Sequence, residues 1–302
     1  MAVEPKTVGI TGASGFLGTA LTTFLRDQGC EVRAFVRPGG DRRPGDVPWD
    51  PRAGALDAAD LADIDAIVHL AGESVVGRWS HEKKRRILES RRQGTELLAR
   101  TIAALPGSKP DLLSASAIGF YPDVGDQTLD ETAPVGTDFL SEVCRVWEAS
   151  TESAREAGAR VVRMRVGLVL APDGGALRNM LPSFRAGLGA RIGSGTQYMS
   201  WISKDDFLAA VAFLLDHPEI HGPVNLTAPT PVTNADFTDA LGKALGRPTF
   251  LVAPVPILRC ALGEFSTELL ASHRILPKVL MDSGFQFEHT TVTHALDHLL
   301  AS

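Results

Sequence analysis

Cysteine is scarce in this chain: Cys30, Cys144 and Cys260 are odd in number, far apart and never in a CxxC pair. That excludes a disulfide framework and reads as reduced thiols in a cytoplasmic protein. No apolar run approaches the ~18 residues needed to span a bilayer, so no membrane role is expected. Excess positive charge is missing too. With 30 Lys and Arg against 36 Asp and Glu, the formal net charge is −6, and no long-range field favours nucleic acid or anionic lipid. The opening "MAVEPKTVGI" lacks the basic stretch and apolar core of a secretion signal. Tyrosine is nearly absent, with only Tyr121 and Tyr198, which leaves few candidates for phenolic proton transfer. A small-molecule substrate is the partner these absences leave.

What is present suits a large α/β protein. The 302 residues are 44% hydrophobic, enough to bury a substantial core. Short β-branched runs alternate with amphipathic stretches, the pattern of a parallel sheet covered on both faces. Strands are expected at "TVGITG", "EVRAFVR", "AIVHLAG", "DLLSASA" and "RVVRMRVGLVL", and helices at 16–28, 80–104 and 138–157. "RPGGDRRPGDVPWDPRAGA" reads as a long loop or small hairpin. Beyond Pro172 the pattern loosens, with helices expected at 175–188, 204–216, 233–245 and 290–300 and a strand at "PVNLTA". The fold class expected is a Rossmann-type doubly wound parallel sheet with a smaller C-terminal cap. The first domain would cover 1–172, with 200–228 returning to it, and the substrate or cap domain 173–302.

The stretch "VGITGASGFLGTAL" has the form of a phosphate cradle. Gly12 permits the strand-to-helix turn, Gly15 lets backbone approach a pyrophosphate, and Gly18 lets the helix pack closely on the sheet. Ser14, Phe16 and Leu17 complete the turn, and the diphosphate would face the positive end of the helix. The second strand should end beside the adenosine ribose, ~20 residues on, where NAD binders place a carboxylate. Here the tip is Val36 followed by Arg37, with Arg42 and Arg43 nearby. A guanidinium without a carboxylate suits a 2′-phosphate, so the expected cofactor is NADP(H).

"VHLAGES" ends a later strand, and Leu70, Ala71 and Gly72 would let backbone pass beneath the nicotinamide side, with Glu73 following. On the next helix Arg91 shares a stripe with Ile87, Gly94 and Leu98. An inward arginine requires an anionic or carbonyl partner. A cofactor phosphate and a carboxylate are both candidates.

"TGASGFLG", "VHLAG", "RRQGT", "SASAIGFY", "RVGLVLAPDGG" and "GSGTQYMSWISKDD" together resemble the extended short-chain dehydrogenase/reductase family, which includes nucleotide-sugar epimerases and dehydratases. "HLAGES", "FLSEVCRVWE" and "ELLASHRILPKVLMDSGFQF" are similar to an atypical epimerase-like branch, also described as proposed cell-division inhibitors, whose C-terminal segment has no assigned function. The family's chemistry uses a serine, a tyrosine and a lysine four residues after it. Ser116 matches the serine, and Ser114 would face the cofactor. Leu140 and Cys144 fall at the tyrosine and lysine positions, and Arg91 replaces the family's asparagine. The standard proton relay is therefore missing. The resemblance also implies dimerisation through 80–104 and 138–157, against which the charged face here counts.

Substitutes are few. Tyr121, five residues beyond Ser116 and expected in the loop where substrate approaches, is either an acid or an aromatic closing the pocket. Glu73 could serve if burial raised its pKa, or could bind Arg91 or a ribose hydroxyl. Trp79 and Trp201 are expected on loops that line a pocket, and Trp147 in the core. His294 and His298 stand four apart with His289 ahead of them. They read as helix-surface histidines, and no metal site is expected.

Overall fold

A computed structural model describes residues 6–301. The chain opens with β1 (Thr7–Thr11), α1 (Phe16–Asp27), β2 (Glu31–Val36), β3 (Val47–Pro48), β4 (Ala66–His69), α2 (His81–Ala104) and β5 (Asp111–Ala117). It continues with β6 (Thr128–Leu129), α3 (Phe139–Ala149), α4 (Glu152–Glu156), β7 (Val161–Val166), β8 (Leu168–Ala171), α5 (Gly175–Arg185), β9 (Ala190–Ile192), β10 (Tyr198–Met199), β11 (Trp201–Ser203) and α6 (Lys204–Asp216). It closes with β12 (Gly222–Leu226), β13 (Val232–Thr233), α7 (Asn234–Ala244), β14 (Leu251–Ala253), α8 (Val255–Leu262), α9 (Ser266–Leu270), β15 (Arg274–Ile275), α10 (Lys278–Asp282) and α11 (Val292–Leu300).

The main sheet has the order β12-β7-β5-β4-β1-β2-β3, and every pairing in it is parallel. Buried Val8, Ile10, Val68 and Leu113 pack towards α1 and α6 on one face. Ile67 and Leu112 pack with Leu97, Leu98 and Ile102 of α2 on the other. Two apolar faces demand helices on both sides, which makes the sheet doubly wound. Strand order reverses between β1 and β4, so the ligand crevice is expected at the carboxyl ends of those strands.

Three details depart from the sequence reading. The strand expected at "RVVRMRVGLVL" breaks at Gly167: β7 stays in the main sheet, whereas β8 pairs with β11. The helix expected over 138–157 is interrupted, because the end of α3 bonds Ser150 and Thr151 back onto its last turn before α4 begins. The Gly- and Pro-rich loop after Val36 contains β3, which pairs with β2 through Phe35 and Val47. Trp49 anchors that loop, buried edge-on against Phe35 and His69.

After β8 the chain leaves the sheet and returns once, as α6 and β12, with Phe207, Val211 and Leu214 of α6 in the first core. A third cluster joins α5, α7 and α11 around Trp201. Trp201 is fully buried and donates Nε1–H to Thr230 O at 3.0 Å, so it does not line a pocket as expected. Trp147 is buried, as core packing requires. His289 also departs from expectation, being fully buried rather than on a helix surface. Among the described residues no helix is long and apolar enough to cross a membrane.

Candidate functional site

The crevice begins at Gly12, whose φ of +70° turns the chain sharply after β1. A left-handed backbone there favours glycine. A Cβ on Gly18 would stand 2.1 Å from Gly12 O, so loop and helix are in direct backbone contact. Gly15 is the N-cap of α1, offers no side-chain cap, and no acidic residue lies in the first turn. The leading N–H groups of α1 thus lack a side-chain acceptor and sit at the helix's positive end, beside the exposed Ser14 and Gly15. That arrangement fits a diphosphate. Phe16 and Leu17 are half-buried and pack against the first core.

One hydroxyl organises the floor. Thr11 Oγ1 accepts from Leu70 N at 3.1 Å and Ala71 N at 3.2 Å, and lies 2.7 Å from His69 Nδ1. Both lone pairs being occupied, its hydrogen goes to Nδ1. His69 then carries its own proton on Nε2, which donates to Thr95 Oγ1 at 3.0 Å. Burial, with the nearby charge of Arg91, lowers the His69 pKa to about 3 and keeps the ring neutral.

Past the floor, Gly72 lies over Arg91, whose Cζ would be 3.3 Å from a Cβ there. Arg91 stacks 4.7 Å from the Trp147 ring and donates Nη1–H to Glu73 O at 2.9 Å and Ile87 O at 3.1 Å. Carbonyls are its hydrogen-bond partners, and it forms no ion pair among the described residues. Burial pushes its pKa below the usual guanidinium value. On the adenosine side, Arg37 stands exposed just past Val36, with its carbonyl accepting from Gly40 N. Arg42 and Arg43 line a cavity of about 370 Å³ with Arg33, Asp46 and Asp60, and Arg37 is not part of that lining.

The chemistry end differs from expectation. Ser116, at the tip of β5, is buried and donates to Glu148 Oε1 at 2.8 Å. Arg165 grips the same carboxylate with Nε at 2.8 Å and Nη2 at 2.9 Å. Its Nη1 donates to Tyr121 Oη at 2.9 Å, and Tyr121 donates onward to Asn225 Oδ1 at 2.7 Å. Tyr121 is fully buried, and desolvation pushes its pKa up to about 12. It belongs to this connected polar network rather than to a loop facing substrate, and its phenol is poorly placed to act as the acid. Glu73 fails for the opposite reason. Lys83 bonds it at 2.9 Å and holds its pKa below the usual carboxylate range, so it stays ionised.

Ser114 is buried one step down β5, paired in register with His69. Leu140 and Cys144 are both buried on α3, and burial with Glu148's charge raises the Cys144 thiol to about 12. That thiol is inert packing.

Two residues the sequence reading passed over lie in the C-terminal segment, which covers the start of α2 and α3. Trp79 packs between Phe139 and Phe265, with ring centroids 5.0 and 5.7 Å away, while Lys84 pairs with Glu264 at 2.6 Å. In that cover, burial and the charge of Asp138 push the Glu268 carboxyl up to about 7. His273 is buried with neither ring nitrogen hydrogen-bonded among the described residues, and burial lowers its pKa. Asp138 caps α3 two residues before Leu140, the position the family gives to tyrosine. The available signal was a lone acid inside "TELLA", which reads equally well as the exposed face of a short helix.

Residues 8–226 match the NAD dependent epimerase/dehydratase family, and 253–299 match a domain of unknown function, DUF1731. The chain is 45% identical over 296 residues to an epimerase family protein of Mycobacterium bovis, covering 96% of each. It superposes on the crystal structure of human epimerase family protein SDR39U1 with NADPH at a TM-score of 0.89, with 32% identity and coverage of 98% of this chain and 99% of that one. A nucleoside-diphosphate sugar epimerase of Corynebacterium glutamicum matches at a TM-score of 0.80 and 36% identity, over 98% of this chain and 58% of that longer one.

Proposed function

The chain belongs to the NAD dependent epimerase/dehydratase family, and from that premise we propose that it is an NADP(H)-dependent oxidoreductase acting on a small carbonyl or hydroxyl substrate, with a non-standard proton donor. The observation that carries the reading is the glycine cradle with an uncapped α1, followed by Arg37 rather than a carboxylate after β2. The human relative with bound NADPH supports it.

The N–H groups of Phe16, Leu17 and Gly18 would hold the diphosphate, Arg37 the 2′-phosphate, and Leu70 to Gly72 the floor beneath the nicotinamide side. When bound, NADP(H) supplies or receives hydride at the nicotinamide ring. Ser116 has its hydrogen directed to Glu148 Oε1, so its oxygen is left to accept a hydrogen bond from a substrate hydroxyl. Glu268 is the candidate donor: burial and the charge of Asp138 push its carboxyl up to about 7, where both protonation states are available near neutrality, as proton transfer in either direction requires.

A second reading, cofactor binding without turnover, draws on the apolar Leu140 and Cys144. One experiment separates the two. NADPH and NADH binding are measured by fluorescence titration, and absorbance at the reduced-nicotinamide band is followed with a panel of aldehydes, ketones and quinones. Oxidation of NADPH by at least one class, abolished in Glu268→Gln, supports the enzyme. Tight NADPH binding with no oxidation supports the binding protein, and no preference for NADPH over NADH overturns the cofactor choice.

A further inference from the structure

The N-terminus of α6 meets α11 at a cluster outside the crevice. Asp205, His289 and His298 each bring one ligand atom to within 4.8 Å of the others. The His294 ring lies 5.2 Å from that of His289. None of these residues takes part in the cradle or in the network around Ser116.

His289 is the telling member. Its Nδ1 lies 3.1 Å from Ser203 Oγ. Ser203 in turn donates to Asp206 Oδ2 at 3.0 Å and accepts from Asp206 N at 3.0 Å. With the serine hydrogen directed to a carboxylate, the imidazole must carry its proton on Nδ1. Nε2 is then a bare lone pair, fully buried and without a hydrogen-bond partner among the described residues. Asp206 is itself held by the backbone N–H groups of Glu288 at 2.8 Å and His289 at 3.0 Å. These bonds fix the ring's tautomer and direction, which is the usual support behind a metal-ligating histidine.

The opposing side completes the set. His298 lies in the last turn of α11, where unpaired carbonyls favour positive charge, and its Nε2 is 3.7 Å from Asp205 Oδ2. An ion pair between these two exposed groups accounts for them but leaves Nε2 of His289 unexplained. Asp205 and Asp206 offset the positive end of α6, and the neighbouring Lys204 is turned away into a pair with Asp173 at 2.8 Å. Two imidazoles and a carboxylate with one side open to solvent form a three-ligand set with room for water.

We propose that Asp205, His289 and His298 bind a divalent transition-metal ion of the zinc class. The ion clasps the C-terminal helix α11 to the N-terminus of α6, joining the DUF1731 segment to the epimerase segment.

The test uses the full chain stripped with chelator, titrated calorimetrically with Zn²⁺, and with Co²⁺ as a visible-absorption probe. The expected result is one equivalent of Zn²⁺, a Co²⁺ spectrum with intense low-symmetry d–d bands, and a Tm that rises with added Zn²⁺. His298→Ala and Asp205→Asn, both at solvent-accessible positions, should each weaken binding at least ~10-fold. His298→Ala should also lose the Tm increase while NADPH binding is unchanged. Wild-type affinity no tighter than that of His298→Ala, or a Co²⁺ spectrum indistinguishable from the hydrated ion, overturns the proposal. His289→Gln serves as a further check if it folds, and the two exposed variants decide the matter if it does not.

Discussion

Ser116 Oγ donates to Glu148 Oε1 at 2.8 Å, and that carboxylate is held at the same time by two nitrogens of Arg165. The serine that the family uses to touch substrate is here the first link of a buried network running through Arg165 and Tyr121 to Asn225. A network of this kind is firm while every member is bonded and fragile once one is removed.

Glu148→Gln should therefore cost about 3–5 kcal/mol, because it leaves the buried Arg165 charge uncompensated. Tyr121→Phe should cost about 1–3 kcal/mol by leaving Arg165 Nη1 and Asn225 Oδ1 each short of a partner. Urea denaturation measures both. Turnover per folded molecule in Tyr121→Phe should stay within about 3-fold of wild type. A loss of about 1,000-fold or more at preserved stability would return the phenol to the role of acid.

Arg37→Ala should weaken NADPH about 10- to 100-fold, the worth of one or two charge-assisted hydrogen bonds to a phosphate. NADH affinity should not change, since NADH has no 2′-phosphate to lose. Parallel titrations of the two nucleotides check this, and an equal loss for both would sink the assignment.

Gly18→Ala places a methyl where Gly12 O stands 2.1 Å away. Either the helix or the turn must shift, at a cost of about 1–3 kcal/mol. NADPH binding should fall with it, visible as loss of the nucleotide-induced rise in Tm.

Glu268 makes stability depend on pH in a defined direction. Its carboxyl is raised from 4.5 to about 7 in the fold, so between those values the native state binds more protons than the unfolded chain. The contribution is fully present below about pH 4.5 and is lost as pH rises through about 7. Glu268→Gln should flatten that part of the profile and stabilise the protein at pH 8 by an amount on the order of 2–3 kcal/mol. In the proposed reaction, reduction should slow above pH 7 in wild type as the acid ionises.

Much of this molecule was readable from residue order. The glycine spacing, the apolar runs on either side of it and the residue following β2 are local signals, and they placed the cradle and its flanking elements. The empty Leu140 and Cys144 positions were legible for the same reason, since a helical register carries from one turn to the next. The catalytic candidates were not. Tyr121 was judged by its distance from Ser116 in sequence, but Arg165 and Asn225, which bury its hydroxyl, arrive from two other strands of the sheet. Glu268 owes its shifted proton affinity first to burial and then to Asp138, 130 positions earlier in the chain. His289 looked like one of a surface series because its burial depends on Ser203 and Asp206. Long-range burial decided each of these, and no window of neighbouring residues contains it.

The hydroxyl of Thr11 has a consequence for acid behaviour. Its single hydrogen points at His69 Nδ1, so an imidazole protonated there would present a second donor where an acceptor is needed. The Thr11–His69 contact would then change from attraction to repulsion, and the N–H groups of Leu70 and Ala71 would lose a well-oriented acceptor. Because His69 is held near 3 in the fold against 6.5 when unfolded, the native state resists this and is progressively penalised as pH falls below about 6.5. Stability measured by urea denaturation should thus fall as pH drops from about 6.5 towards about 3. Mild acid therefore taxes the whole fold through a proton that only the unfolded chain can accept, while the Thr11–His69 contact itself stays intact until the pH approaches about 3.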